Sequence, residues 1–141
     1  MAEAKPNSLL SPAPLGAHAA GDATFGSTKA LQGMALMGGG GLIKAWSRWA
    51  HSTPASSAVS ESTQLVIVAH TGCYDREIKR VLGVPYQAPT TIYCDNLTIV
   101  QIANRQAEPS GLKYFMRHMQ VLRDMSDASE IRVVHLAGAE M

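Results

Sequence analysis

The stretch PTTIYCDNLTIVQIAN, residues 89–104, joins a predicted strand to a predicted helix. The β-branched and aromatic run 90–94 has the composition of a strand, and the apolar residues after Asn96 recur at helical spacing. Asp95 stands between the two elements. It can cap the helix, as Asn96 can, or it can lie at the carboxyl end of a buried strand, where open α/β sheets place their ligands. The stretch alone leaves both interpretations open.

Length and charge restrict the possible classes of protein. The chain has 141 residues, which suits one domain, and a hydrophobic content of 46%, which suffices for a core. Its net charge is +1, so any binding of nucleic acid must come from a local site rather than from bulk charge. Residues 1–14 are rich in Ala, Pro and Ser, and we expect a loose N-terminal segment there, followed by a single domain over 15–141.

Cysteine usage and hydropathy bear on the compartment. Cys73 and Cys94 have no C-x-x-C partner, which favours buried free thiols and a reducing environment. No apolar run approaches the roughly 20 residues that span a bilayer, and the start of the chain lacks the basic-then-apolar order of a secretory signal. We therefore expect an intracellular protein that is not secreted and has no membrane partner.

The order of the predicted elements indicates an α/β fold. Four glycines at 38–41, flanked by apolar runs, predict a hairpin because glycine tolerates positive φ. A long helix starts near Ser56 or Ser57 and ends at Gly83. Its apolar stripe is expected to comprise Leu65, Val66, Ala69, Cys73, Ile78, Val81 and Leu82. The whole order is β-β-β-α-β-α-α-β, with strands 17–25, 31–37, 42–49, 90–95 and one from Glu130, the long helix, and helices 97–105 and 112–127. This order predicts a mixed five-stranded sheet with covering helices.

Three acids are placed where they could share a site. Asp22 lies in the first predicted strand, Glu61 in the first turns of the long helix, and Asp95 at the end of the fourth strand. If the first and fourth strands are neighbours, Asp22 and Asp95 come together. Carboxylates without a basic neighbour repel each other unless a cation neutralises them, and such ligands suit Mg²⁺ or Mn²⁺. The alternative is that these acids are helix caps or solvated surface.

Basic and aromatic residues could contact nucleic acid. Alternation along the third strand puts Lys44, Trp46 and Arg48 on one face, where they could meet a phosphate backbone and stack on sugar or base. The same pattern also fits an amphipathic edge with a core tryptophan. The last predicted helix carries a basic set that is either a solvated face or a source of further phosphate contacts: Lys113, Arg117 and Arg123.

Four segments in order carry a resemblance to a known family. They are GDATFGSTKALQGMALMGGGGLIKAWSRWA at 21–50, SSAVSES at 56–62, PTTIYCDN at 89–96 and IRVVHLAGAEM at 131–141. The first contains an Asp-Ala-x-Phe start, a Ser-Thr pair, a glycine turn and Ile-x-x-Trp. Together they resemble the ribonuclease H domain of copia-type retrotransposon polyproteins, over nearly the whole chain after Gly21.

The resemblance implies a fold, an activity and partners. The fold is the ribonuclease H-like mixed five-stranded sheet, and the activity is two-metal hydrolysis of the RNA strand of an RNA–DNA hybrid with Mg²⁺ or Mn²⁺. The expected partners are that hybrid and the reverse transcriptase domain of the same polyprotein. Asp22, Glu61 and Asp95 correspond to three catalytic, metal-binding carboxylates of the family. We add Asn96, in the same segment as Asp95, to the expected nucleic-acid contacts.

Three departures from the family pattern concern its active site. Val59 stands where the family has the first glutamate of its helix motif, and Tyr114 where it has a histidine. The family's last catalytic aspartate and a covering helix lie beyond the position of Met141. We therefore expect impaired catalysis and exposed apolar surface on the sheet. The alternative function is that of an inactive retroelement remnant or a weak nucleic-acid-binding module.

Overall fold

The computed structural model describes residues 17–23, 31–50, 56–84, 88–111 and 113–137. Its elements follow the predicted order, with ends that differ by a few residues. The strands are β1 Ala17–Ala23, β2 Leu31–Gly38, β3 Gly41–Trp49, β4 Thr90–Cys94 and β5 Ile131–His135. The helices are α1 Ser57–Val81, α2 Leu97–Ala103 and α3 Lys113–Asp127. The segment predicted to be loose, 1–14, lies outside the described residues.

The five strands form one mixed sheet in the order β3-β2-β1-β4-β5. β1 pairs with β2, and β2 with β3, in antiparallel fashion. β4 runs parallel to both β1 and β5. The predicted mixed five-stranded sheet is therefore confirmed. The first and fourth strands are neighbours, which is the condition under which Asp22 and Asp95 come together.

The glycine run forms the predicted hairpin. Gly38 pairs with Gly41 across the turn, and the two central residues, Gly39 and Gly40, have φ of 59° and 80°. Positive φ at both central positions is the geometry that matches the twist of the flanking strands. This hairpin lets β3 fold back along β2 at the edge of the sheet.

The core lies on one face of the sheet. Alternate strand residues are buried together with the apolar sides of α1, α2 and α3, and they include Ala19, Met34, Leu36, Ile92, Cys94, Ile131 and Val133. On the opposite face, which we call the second face, the side chains are partly or fully exposed apart from His18. Leu31, Ile43 and Trp49 on the second face are 39%, 46% and 60% exposed. Apolar side chains of the strands are therefore exposed on the second face.

Helix α1 begins as predicted, but its apolar stripe is shorter than predicted. The Ser56 hydroxyl caps it, accepting a hydrogen bond from the Val59 N–H at 3.2 Å. Near its other end, Ile78, Val81 and Leu82 are 43%, 72% and 73% exposed, so the prediction that they face inward is wrong. A helix of 25 residues is about 37 Å long, whereas the five-residue strand β4 spans only about 17 Å. The last turns of α1 therefore extend past the sheet.

Arg123 corrects the prediction of a solvated basic face on α3. Lys113 and Arg117 are exposed, but Arg123 is only 6% exposed. Its guanidinium donates to the carbonyl oxygens of Ile102 and Ala107, at 2.8 and 2.9 Å. The Ile102 carbonyl lies in the last turn of α2 and the Ala107 carbonyl follows that helix, so Arg123 joins α3 to the end of α2. Within the described residues, no helix is long and apolar enough to cross a membrane.

Candidate active site

The strand ends bring two of the predicted acids to the same edge of the sheet. β1 and β4 are parallel, and Ala20 is in register with Tyr93. Continuing both strands by two residues puts Asp22 level with Asp95. Because the carboxyl ends of parallel neighbours meet at one edge, these two acids lie at the position where open α/β sheets bind ligands.

Asn96, rather than Asp95, is the cap of helix α2. Its side-chain oxygen accepts a hydrogen bond from the Ile99 N–H at 3.3 Å, and its backbone is extended, with φ of −92° and ψ of 103°. The cap interpretation of Asp95 is therefore wrong. The same Asn96 side chain donates from Nδ2 to a carboxylate oxygen of Glu61. Asn96 thus ties the start of α2 to the first turns of α1.

The thiol of Cys94 is affected by all three predicted acids. Burial at the end of β4 raises the pKa of Cys94 to about 11, and the negative charges of Asp95, Glu61 and Asp22 add to the shift. A hydrogen bond involving Asn96 acts in the opposite direction. The three acids therefore lie toward the same end of the sheet as Cys94.

The three acids reach the carboxyl ends of β1 and β4 from both faces of the sheet. A Cβ atom at Gly21 would lie 2.4 Å from Cγ2 of Val68 on α1, so Gly21 faces the helix. Asp22, the next residue, alternates to the second face and borders a groove of about 450 Å³ lined also by Ala35 and Ser47. Glu61 comes from the helix side. The candidate site therefore lies at the end of the sheet rather than on one face of it.

Within the described part of the chain, the three acids have no cationic partner, and they do not form a metal-ligand cluster. Among the described residues, none of Asp22, Glu61 and Asp95 takes part in an ion pair. One oxygen of Asp22 accepts from the Ala23 N–H at 2.9 Å. In the same part of the chain, no group of three His, Cys, Asp or Glu side chains is close enough together to hold a metal ion. The donor chemistry suits Mg²⁺ or Mn²⁺, and the roles of the three acids as metal ligands and catalysts stay predictions.

The predicted basic and aromatic set lies together on β3. Lys44, Trp46 and Arg48 pair with the helix-facing residues of β2, so their common face is confirmed. Trp46 is partly buried against the core, and the guanidinium carbon of Arg48 lies 4.4 Å from the centroid of its ring. Trp46 therefore packs against the core and also supports an exposed cation. Binding of nucleic acid by this set, and by Lys113, Arg117 and Asn96, stays a prediction.

Two polar contacts near the site were not predicted. The Ser62 hydroxyl and Nδ1 of His118 are 2.8 Å apart, which joins α1 to α3 one residue after Glu61. Nε2 of Gln64 donates to the carbonyl oxygen of Gly33 at 2.7 Å, which joins α1 to β2. Their partners are 56 and 31 residues away in sequence, so no local pattern could reveal either contact. The only local signal is a polar residue at an inward position of an amphipathic helix.

Comparisons of sequence found no similar protein. A scan against protein-family models gave no match, and a search of the curated proteins gave none either.

Comparison of structure gives strong similarities that cover nearly all of the chain. The structure of RNase H1 from the halophilic archaeon Halobacterium salinarum has a TM-score of 0.64 and 15% sequence identity over 87% of this chain and 86% of that one. LC11-RNase H1 in complex with an RNA/DNA hybrid has a TM-score of 0.67 and 10% identity over 88% and 87%. A foamy viral protease–reverse transcriptase, also in complex with an RNA/DNA hybrid, has a TM-score of 0.60 and 12% identity, over 97% of this chain and 19% of that chain.

These similarities define the class of fold. The sheet order, the helices packed on one face and the match along almost the full length of two RNase H1 chains show a ribonuclease H-like fold. At 10–15% identity the likeness concerns the fold, and function has to be argued from the site.

Proposed function

We propose that this chain is a ribonuclease H-like nuclease domain that hydrolyses the RNA strand of RNA–DNA hybrids. The observation that carries the proposal is that Asp22 and Asp95 lie level at the carboxyl edge of the parallel strands β1 and β4, and that the Asn96 side chain joins Glu61 to the same edge. Catalytic groups in open α/β sheets are found at this edge. By the resemblance of its four segments, the domain comes from a copia-type retrotransposon polyprotein.

Electrostatics supports a role for divalent metal ions. Asp22 and Asp95 lie at the same edge of the sheet, and none of the three acids is in an ion pair among the described residues, so a cation bound there would offset the repulsion between neighbouring carboxylates. Asp22, Glu61 and Asp95 are the residues that would hold Mg²⁺ or Mn²⁺. When bound, such ions lower the pKa of a coordinated water and neutralise charge on a phosphodiester.

The surrounding residues would orient this site and bind its substrate. Asn96 holds the Glu61 carboxylate by its Nδ2. It also fixes the start of α2 directly after Asp95, which limits the movement of that residue. On β3, Lys44 and Arg48 would contact phosphates, while the face of Trp46 would remain covered by the Arg48 guanidinium until a sugar or base displaces it.

The comparisons support the choice of substrate and partner. Two structures with this fold, LC11-RNase H1 and the foamy viral protein, are in complex with an RNA/DNA hybrid. In the foamy viral protein the similar region is about a fifth of a chain that also contains a protease and a reverse transcriptase. We infer a reverse transcriptase domain of the same polyprotein as the partner of this chain.

Cleavage of a labelled RNA–DNA hybrid in Mg²⁺ and in Mn²⁺ tests the proposal. The folded wild-type chain should cut the RNA strand only when a divalent ion is present, and Asp95→Asn should abolish cutting. Asp124→Asn is the matched control, because Asp124 is an exposed carboxylate on α3 and hydrogen bonds only Gln120 among the described residues. Metal-independent cutting, or equal cutting by Asp95→Asn, would refute the assignment.

A nucleic-acid-binding module without turnover is the second candidate function. It is favoured by the exposed cation stacked on Trp46, which needs no metal ion to bind a backbone. In this case a folded chain that does not cut should still bind the hybrid, and its affinity should fall as salt increases. Lys44→Ala should reduce the slope of log affinity against log salt by about 1.

A further inference from the structure

Gln64 is a buried amide between the helix and the strands that carry the candidate site. Its side chain projects from α1 one turn after Glu61, and it is 1% exposed. Nε2 donates to the carbonyl oxygen of Gly33 at 2.7 Å. Gly33 is the cross-strand partner of Asp22. One side chain therefore connects the helix bearing Glu61 to the strand pair bearing Asp22.

The backbone around this contact is packed at close range. A Cβ at Gly21 would lie 3.1 Å from Nε2 of Gln64, 3.1 Å from the Gly33 oxygen and 2.4 Å from Cγ2 of Val68. Only glycine allows α1 to come this near to β1. The Gln64 amide thus lies where α1 and the sheet are in van der Waals contact. A change in its hydrogen bond to Gly33 would therefore shift α1 relative to the strand that carries Asp22.

The side chain is not the one that core stability would favour. Oε1 of Gln64 is buried and has no hydrogen-bond partner among the described residues. A buried acceptor without a partner is destabilising, whereas an apolar side chain of the same length would leave no unpaired oxygen. The hydrogen bond to Gly33 therefore fixes an orientation at some cost in stability.

We propose that Gln64 is a positioning residue of the candidate site. Its amide ties α1 to β2 opposite Asp22 and so sets the separation between the carboxylates of Asp22 and Glu61. This inference rests on the proposed function, and it assigns to Gln64 no contact with substrate or metal. It explains how two acids that approach from different faces of the sheet are held at a constant distance without a direct contact.

The test compares Gln64→Met with Leu65→Met in the full chain. Leu65 is the adjacent core residue, 2% exposed, and its replacement conserves volume without removing a polar contact. Gln64→Met should lower kcat for hybrid cleavage on the order of 10- to 100-fold, with KM for the hybrid unchanged, because the basic residues on β3 are untouched. Leu65→Met should change neither. A purely structural role would instead lower thermal stability and leave kcat of the folded fraction unchanged, and this result would overturn the proposal.

Amide hydrogen exchange separates this inference from the proposed function. In Gln64→Met, the amides of 20–23 and 32–35 should exchange faster than in the wild type, while those of β5 should not change. If the wild-type chain neither cuts the hybrid nor binds Mn²⁺, the proposed function fails, and hydrogen exchange alone decides whether Gln64 ties the two elements. Unchanged exchange would overturn the tie. If Gln64→Met does not fold, Gln64→Glu, which keeps the shape but loses the donor, is compared in the same way.

Discussion

Adding one methyl group at Gly21 should destabilise the protein and disturb the candidate site together. In Gly21→Ala the new Cβ would be 2.4 Å from Cγ2 of Val68, roughly 1 Å short of the about 3.5 Å at which two carbon atoms make contact. It would also lie 3.1 Å from the Gly33 oxygen, a backbone atom that a rotamer change cannot move. β1 and α1 must therefore separate, and overpacking of this kind costs about 1–3 kcal/mol.

Urea and thermal denaturation measure the cost, and Gly33→Ala is the matched control. A Cβ at Gly33 meets only the Trp46 carbonyl oxygen, at 3.7 Å, an ordinary contact, so this second substitution should change the free energy of unfolding by less than about 1 kcal/mol. Gly21→Ala should lower Tm by roughly 3–10 °C for a chain of this size. If the two alanine variants are equally stable, α1 does not approach β1 as closely as the structure shows, and the argument for Gln64 fails with it.

The double variant Gly21→Ala, Val68→Ala tests the cause of the clash. Val68 is fully buried, so Val68→Ala alone should be destabilising through the cavity it leaves. In the double variant the new methyl group occupies part of that cavity. The double variant should therefore lose less free energy of unfolding than the two single variants lose together, with a coupling of about 0.5–3 kcal/mol. Additive effects would show that the two side chains do not meet.

Three further predictions concern contacts around the site. Asn96→Ala should cost about 1–2 kcal/mol in urea denaturation, because it loses the helix cap, whereas Asn96→Asp keeps a cap oxygen but loses the donor to Glu61 and should reduce cleavage more than stability. Burial lowers the pKa of His18 and of His118, so the unfolded chain binds more protons below pH 6.5 and stability should fall as the pH drops from 6.5 toward 5. Arg123→Met should cost about 2–3 kcal/mol, because the carbonyl oxygens of Ile102 and Ala107 lose a charged donor.

Each of these predictions has a specific contradicting result. Equal cleavage by Asn96→Asp and the wild type would mean that the contact with Glu61 has no role in the reaction. A pH profile of Tm that stays the same in His18→Phe and His118→Gln would exclude the two histidines as its source. Arg117→Met, at an exposed position on the same helix, should be within about 0.5 kcal/mol of the wild type, and a cost equal to that of Arg123→Met would contradict the structural role of Arg123.

The sequence predicted the elements well because the signals that define them are local. Gly39 and Gly40 supply the positive φ that a two-residue hairpin requires. Ser56 supplies the cap of α1, as expected. The hairpin and the cap do not depend on knowing which distant side chains meet. The order of the elements indicated a mixed sheet, but it left the adjacency of β1 and β4 as a condition that only the structure met.

What the sequence did not predict depends on contacts between distant residues. In the sequence, Arg123 has the spacing of a solvent-facing basic residue on an amphipathic helix. Only the structure shows that it donates to the carbonyl oxygens of Ile102 and Ala107. The exposed end of α1 follows from the difference in length between α1 and β4, which the apolar pattern of α1 by itself does not contain. For the residue at the strand end, sequence left Asp95 and Asn96 as rival caps, and only the fold showed that Asn96 both caps α2 and contacts Glu61.

Two amides join α1 to the candidate site, and in the proposed function they would set its geometry before a cation binds. Asn96 ties Glu61 to the junction of β4 and α2, and Gln64, one turn further along, ties α1 to the partner strand of Asp22. Neutral amides can do this without pairing a positive charge with the acids, which would lower their affinity for a metal ion. If both amides hold one rigid helix, removing either of them should already release it. The double variant Asn96→Asp, Gln64→Met should then show a smaller fold-loss in cleavage rate than the product of the two single fold-losses. A fully multiplicative loss would show that each amide acts on its own carboxylate.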